Sequence, residues 1–135
     1  SAPADAFVKA LAIDAAHKRG EPWLAQARGV AKRLSGISKD VKAPALATSL
    51  NPQKPDDPRI LELVSTIEKA TKDLHTEAGV LEALQGAAIL ARDLEQIFEK
   101  TLVNDPNDSF TPARLASLAF GASCMLKLGD FSKLG

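Results

Sequence analysis

Residues 77–102 read EAGVLEALQGAAILARDLEQIFEKTL, and this stretch decides the fold. Val80, Leu84, Ala87, Ala91, Leu94, Phe98 and Thr101 recur by fours and threes, so they share one stripe of an α-helix and predict a heptad-like seam packed at a shallow angle. Gly86-Ala87-Ala88 lowers helix propensity in the middle of the stretch, yet it lets a neighbouring backbone come close. A seam of small and aliphatic residues needs other helices to cover it.

The same period appears four more times, and strand alternation nowhere. A first segment, about Pro3 to Arg19, places Phe7, Leu11 and Ala15 on one face, with Ala10 and Asp14 beside them. It ends in His17-Lys18-Arg19-Gly20, cations at the negative end of the helix dipole followed by a glycine stop. Pro22 suits the first turn of a second segment carrying Trp23, Ala27, Val30, Ala31, Leu34 and Ile37. The sequence permits either a kinked helix or a split at Gly20–Pro22.

Residues 39–56 hold Pro44, Pro52 and Pro55, a long connection for a compact domain; Val41, Leu46 and Leu50 punctuate it and predict an ordered strap along the bundle. Asp57-Pro58 and Thr111-Pro112 each read as an N-cap followed by proline at the first helical position. Ile60, Val64, Ile67, Thr71 and Leu74 line the helix after the first. Leu115, Leu118, Ala122 and Met125 line the one after the second, beyond a turn-rich loop at Val103–Phe110. The expectation is an all-α four-helix up-and-down bundle forming one domain over residues 1–135, with short connections setting neighbouring helices antiparallel.

Composition narrows function. In 135 residues, 45% are hydrophobic and 25% charged, and no apolar run approaches the roughly 20 residues of a membrane span. Seventeen basic residues balance seventeen acidic ones, which removes the overall positive charge expected of a nucleic-acid binder. One cysteine, Cys124, excludes an internal disulfide; its setting between Ser123 and Met125 reads as a buried, inert thiol. Ser1-Ala2-Pro3-Ala4 lacks a start methionine and reads as a processed end, as after removal of a targeting peptide, or as a cloning scar.

Candidate chemistry is sparse. Leu74-His75-Thr76-Glu77-Ala78-Gly79 is similar to the H-x-x-K-G opening of histidine phosphotransfer domains, which are four-helix bundles of about this size. Ala78 replaces the lysine, Glu77 sets a negative charge beside an incoming anion, and His75-Thr76 falls at an expected helix boundary. In His17-Lys18-Arg19-Gly20 the glycine stands at the third position after the histidine. Four residues beyond His17 stands Glu21, but Gly20 and Pro22 surround it; His75 leads to Ala78 and Gly79, and Glu95 and Glu99 have no accompanying Glu-x-x-His. No Gly-x-Ser-x-Gly or phosphate-cradling glycine loop occurs. The residues therefore predict a protein that is not an enzyme and needs no metal or cofactor.

Binding remains. Lys18, Arg19, Arg28, Lys32 and Arg33 cluster in the first two segments, beside Trp23, with Lys39, Lys42 and Lys54 in the strap. Acids concentrate in the middle, from Asp56 and Asp57 through Glu62, Glu68, Asp73, Glu77 and Glu82 to Asp93, Glu95 and Glu99. Such a dipole predicts salt-sensitive docking of the basic end, Lys18, Arg19, Trp23, Arg28, Lys32 and Arg33, onto an acidic partner within a larger protein complex. Two alternatives stand beside it: phosphotransfer through His75, and carriage of a small apolar ligand in space left where Gly86-Ala87-Ala88 opposes Gly121-Ala122.

Trp23 at the head of a basic helix, followed by Ile37 and Asp40-Val41 at the spacing W-x13-I-x2-D-V, resembles the second helix of the PsbQ-type extrinsic subunits of photosystem II. Lys133-Leu134-Gly135 is similar to the end of plant members. The resemblance implies a four-helix bundle in the thylakoid lumen, without cofactor. Such a protein docks on the lumenal face of the membrane-embedded photosystem and helps retain the ions of the oxygen-evolving site.

Overall fold

The computed structural model describes residues 2–129, with side chains from Asp5 onward. Ser1 and the terminal Lys133-Leu134-Gly135 of the resemblance lie outside the described residues. The chain is all-α, with no strand among the described residues: α1 (Ala2–Lys18), α2 (Pro22–Ile37), α3 (Asp57–Ala70), α4 (Glu77–Ala88), α5 (Ala91–Lys100) and α6 (Thr111–Leu126). Between α4 and α5 the backbone merely tightens, Leu90 N–H bonding back three residues to the Ala87 carbonyl, so residues 77–100 form one interrupted rod. Counted so, five helices pack against one another.

At Gly20 the chain splits instead of kinking. Gly20 takes φ +66, a left-handed stop after which Glu21 stands at the N-cap position of α2 with Pro22 in its first turn. The expected core face of α1 is corrected by the structure. Ala12, Ile13 and Ala16 are buried and Ala15 is half-buried, while Phe7 is 64% and Leu11 46% exposed. The reason is close approach: α1 packs chiefly on α4, and a stripe of alanines brings two helix axes nearer than phenylalanine and leucine would allow.

The central packing sets side by side two helices that are not consecutive in the chain. Asp57 meets Arg114, and a Cβ on Gly121 would lie 3.3 Å from Val64. Both contacts keep the same offset of 57 residues, so α3 and α6 run parallel, side by side. The α4–α5 rod between them in the chain runs back toward the start of α3, where Thr101 bonds Asp56, and the strap carries the chain from the end of α2 to the start of α3. It is ordered, as expected: Ala45 N–H donates to the Ala116 carbonyl at 3.0 Å, Ala47 N–H donates to Ser117 Oγ at 3.0 Å, and Leu50 is buried. Alternate amides on one side are the mark of extended backbone.

Two caps shift by one residue. Asp56 and Phe110 occupy the N-cap positions of α3 and α6, and Asp57 and Thr111 begin the helices, both buried. Those side chains are drawn inward by Arg114.

Candidate functional site

Arg114 is the one charged residue in α6, and it is fully buried. Its Nε and Nη2 donate to the two oxygens of Asp57 at 2.8 Å each, Nη2 donates also to Asp108 at 2.6 Å, and Nη1 donates to the Val103 carbonyl and Thr111 Oγ1, each at 3.2 Å. Asn51 joins from the strap, its N–H donating to Asp57 and its Nδ2 to Asp108. Lys54 lies 3.3 Å from Asp105 and 3.4 Å from Asp108. Strap, α3, the 101–110 loop and α6 thus meet at one guanidinium, and no buried side-chain nitrogen or oxygen among the described residues lacks a partner.

Two parallel helices bring their positive ends to this place, and the carboxylates answer that field. Bonding to Arg114 and to the Phe110 N–H holds the Asp108 carboxyl well below the usual carboxylate range, and the carboxylates raise Arg114 in turn. The Thr101 hydroxyl lowers Asp56 by hydrogen bonding, and the Asn107 backbone N–H lowers Asp105. Every donor here has a fixed acceptor, so the cluster works as a clamp. Sequence reading made Asp57 an N-cap and counted it among the acids of the middle stretch. The signal that identifies the clamp is a lone arginine within TPARLASLAFGASCML, where every other position is uncharged.

The basic end predicted from sequence divides in two. Lys18 pairs with Asp14 at 3.0 Å, and Arg33 lies 3.2 Å from Glu95 with its guanidinium 4.6 Å from the centre of the Phe98 ring. Arg19 Nε and Trp23 Nε1 both donate to the Glu21 carboxylate, at 3.4 and 3.0 Å, so half-buried Trp23 is tied to the turn between α1 and α2. Arg28 and Lys32, one turn apart on α2, have no carboxylate partner among the described residues, and Lys32 is exposed. Beside them, a Cβ on Gly29 or Gly36 would meet nothing within 4 Å. The structure therefore leaves two uncompensated cations on a flat outward face of α2.

His75 stands one residue before Thr76, the N-cap of α4, whose hydroxyl accepts from Gly79 N–H at 3.0 Å. Its Nδ1 lies 3.0 Å from Asp5 of α1. Gly79 has a packing reason of its own, since a Cβ there would fall 2.5 Å from the Asp73 carbonyl oxygen. The expected opposition of Gly86-Ala87-Ala88 and Gly121-Ala122 is corrected. A Cβ on Gly86 would meet Ala70, and one on Gly121 would meet Val64 and Leu34. Ala70 at the first glycine, and Val64 with Leu34 at the second, fill the space beside them.

Burial raises the Cys124 thiol, the condition of an unreactive cysteine. No cluster of three or more metal-ligating side chains occurs among the described residues, and no helix there is long and apolar enough to cross a membrane. No family model, curated protein or solved structure matches the chain.

Proposed function

We propose that this chain is a non-catalytic docking subunit whose α2 face engages an acidic surface of a larger protein assembly. The observation that carries the reading is the pair Arg28 and Lys32, left without an internal partner on a face that Gly29 and Gly36 keep flat, while the clamp holds the opposite charges inside. Desolvating a cation already held by a neighbouring carboxylate returns little, so unpaired cations are the ones that gain from a partner's acids. In this reading α2, α3, the α4–α5 rod and α6 make a four-helix bundle whose successive members alternate in direction, and α1 is an added arm.

The PsbQ-type reading draws support from where its motif falls. Trp23 and Ile37 mark the two ends of α2, both half-buried against the core, and Asp40-Val41 opens the strap. It makes the partner the lumenal face of photosystem II and the compartment the thylakoid lumen. Phosphotransfer through His75 draws less, because His75 precedes the helix and faces Asp5. Ligand carriage draws less, because the small residues are covered.

The test is reconstitution of the purified chain onto photosystem II membranes stripped of extrinsic proteins, read by co-sedimentation across a salt series. Expected is binding that falls steeply with salt, and about tenfold weaker binding for Arg28→Glu/Lys32→Glu with its melting temperature unchanged, the loss a few screened charge contacts carry. Equal binding by that variant would overturn the assignment of the face. Absence of wild-type binding at low salt would overturn the photosystem partner.

A further inference from the structure

We infer that the strap is a docking edge for an extended peptide segment of a partner protein, which adds as a strand beside Leu46 in the groove between the strap and α3. The edge is half used. Ala45 and Ala47 turn their N–H groups toward α6, each 3.0 Å from its acceptor, the Ala116 carbonyl and Ser117 Oγ. Extended backbone alternates, so the N–H and C=O of Leu46 between them face the other way, and neither has a hydrogen-bond partner among the described residues. Leu46, Ala47 and Thr48 form one wall of an open groove of about 500 Å³, and α3 forms the other with Leu61, Ser65 and Lys69.

The groove names its occupant. A main-chain donor and acceptor on one strand edge are satisfied together by another extended backbone, whereas a helix keeps its own N–H and C=O groups within itself. The edge is also set in advance: Leu46 and Ala47 pack on the core and Leu50 is buried, so binding does not first have to order it. Upstream, Lys42 and Pro44 bound the edge, the residue types that keep an open strand from pairing with copies of itself.

Charge sets the sequence of the segment. Glu62 and Lys69 line the groove, are exposed, and have no ion-pair partner among the described residues. Seven positions apart on one helix, they stand about 10.5 Å apart along its axis. An extended chain covers that distance in about three residues. The matching segment therefore carries an acidic side chain toward Lys69 and a basic one toward Glu62, three or four positions apart, with an apolar residue over Leu61. None of these residues belongs to the α2 face, so the two surfaces are tested separately.

The experiment pans a displayed library of random peptides, about seven residues long and so able to span the groove, against the full chain and against Glu62→Lys/Lys69→Glu. Peptides enriched on wild type are expected to carry an acid and a base three or four positions apart in one order, and the variant to enrich the reverse order. Synthesised, the wild-type peptides bind the variant about tenfold more weakly at an unchanged melting temperature, and on wild type they slow amide exchange at Leu46 about tenfold. No enrichment on wild type overturns the inference. So do peptides that leave Leu46 exchange as it is in the free chain, or that bind both chains equally.

Discussion

Asp57 and Arg114 face each other through two parallel N–H···O bonds of 2.8 Å at the N-terminal ends of two side-by-side parallel helices, both side chains closed to solvent. A buried pair of this kind is weak evidence for net stability, but removing one partner leaves a charge in a medium that cannot solvate it. Arg114→Met is therefore expected to cost about 3–5 kcal/mol, and Asp57→Asn with Arg114→Met together about half of that or less. Urea denaturation followed by far-ultraviolet circular dichroism measures both. A single-variant loss under about 1 kcal/mol would mean that water reaches the Asp57 and Asp108 carboxylates left behind.

That pair also shows where sequence reading stopped. Helix positions were largely legible, because a stripe such as Val80, Leu84, Ala87 and Leu94 is a local property of spacing, and the strap followed from its prolines and apolar punctuation; the break at residues 89–90 between α4 and α5 was not. Which face of α1 turns inward was not legible. Alanine and phenylalanine both count as apolar in a pattern, and the choice between them depends on how near α4 comes. That α3 and α6 lie side by side was equally hidden, since alternation along the chain gives direction but not which helices become spatial neighbours. Of the basic end, the sequence located the right helices. It did not show that Glu21, Asp14 and Glu95 neutralise Arg19, Lys18 and Arg33, leaving Arg28 and Lys32.

Two glycines on helices predict opposite signs for the same substitution. Gly29 lies within α2 with open space where a Cβ would go, so Gly29→Ala removes the helix penalty of glycine and is expected to stabilise by about 0.5–1 kcal/mol. Gly79 also lies in a helix, but its added methyl would stand 2.5 Å from the Asp73 carbonyl oxygen, a backbone atom that cannot swing away. Gly79→Ala is expected to destabilise by about 1–3 kcal/mol, the scale of overpacking. Thermal melts of the two variants, moving in opposite directions from wild type, check the pair.

Fastening of the strap rests on Ser117, which accepts from Ala47 N–H and donates to the Ala113 carbonyl at 2.8 Å while fully buried. Ser117→Ala leaves the Ala47 amide without its acceptor, at about 1–2 kcal/mol. The loss is local, so limited proteolysis reads it better than a melt: cleavage within residues 44–50 is expected to quicken several-fold while the helices stay intact. Unchanged cleavage would show that Leu50 and the Ala45–Ala116 bond hold the strap unaided.

Acid should weaken the fold through the clamp. Asp108, Asp105 and Asp56 all have their carboxyl groups lowered in the fold, Asp108 most, by Arg114 and the Phe110 N–H. For a group with a depressed native pKa the unfolded chain binds the extra proton. Its contribution is complete above the ordinary carboxylate value of about 3.9 and is lost as pH falls below it toward the native value. Stability is therefore expected to be level between about pH 5 and 7 with respect to these groups, and to fall steadily below about pH 4. Asp108→Asn cannot ionise and bonds Arg114 without charge. That variant should start less stable at pH 7 and lose less on acidification, so the two curves of unfolding midpoint against pH converge at low pH. Parallel curves would remove Asp108 from the acid response and leave it to carboxylates outside the clamp.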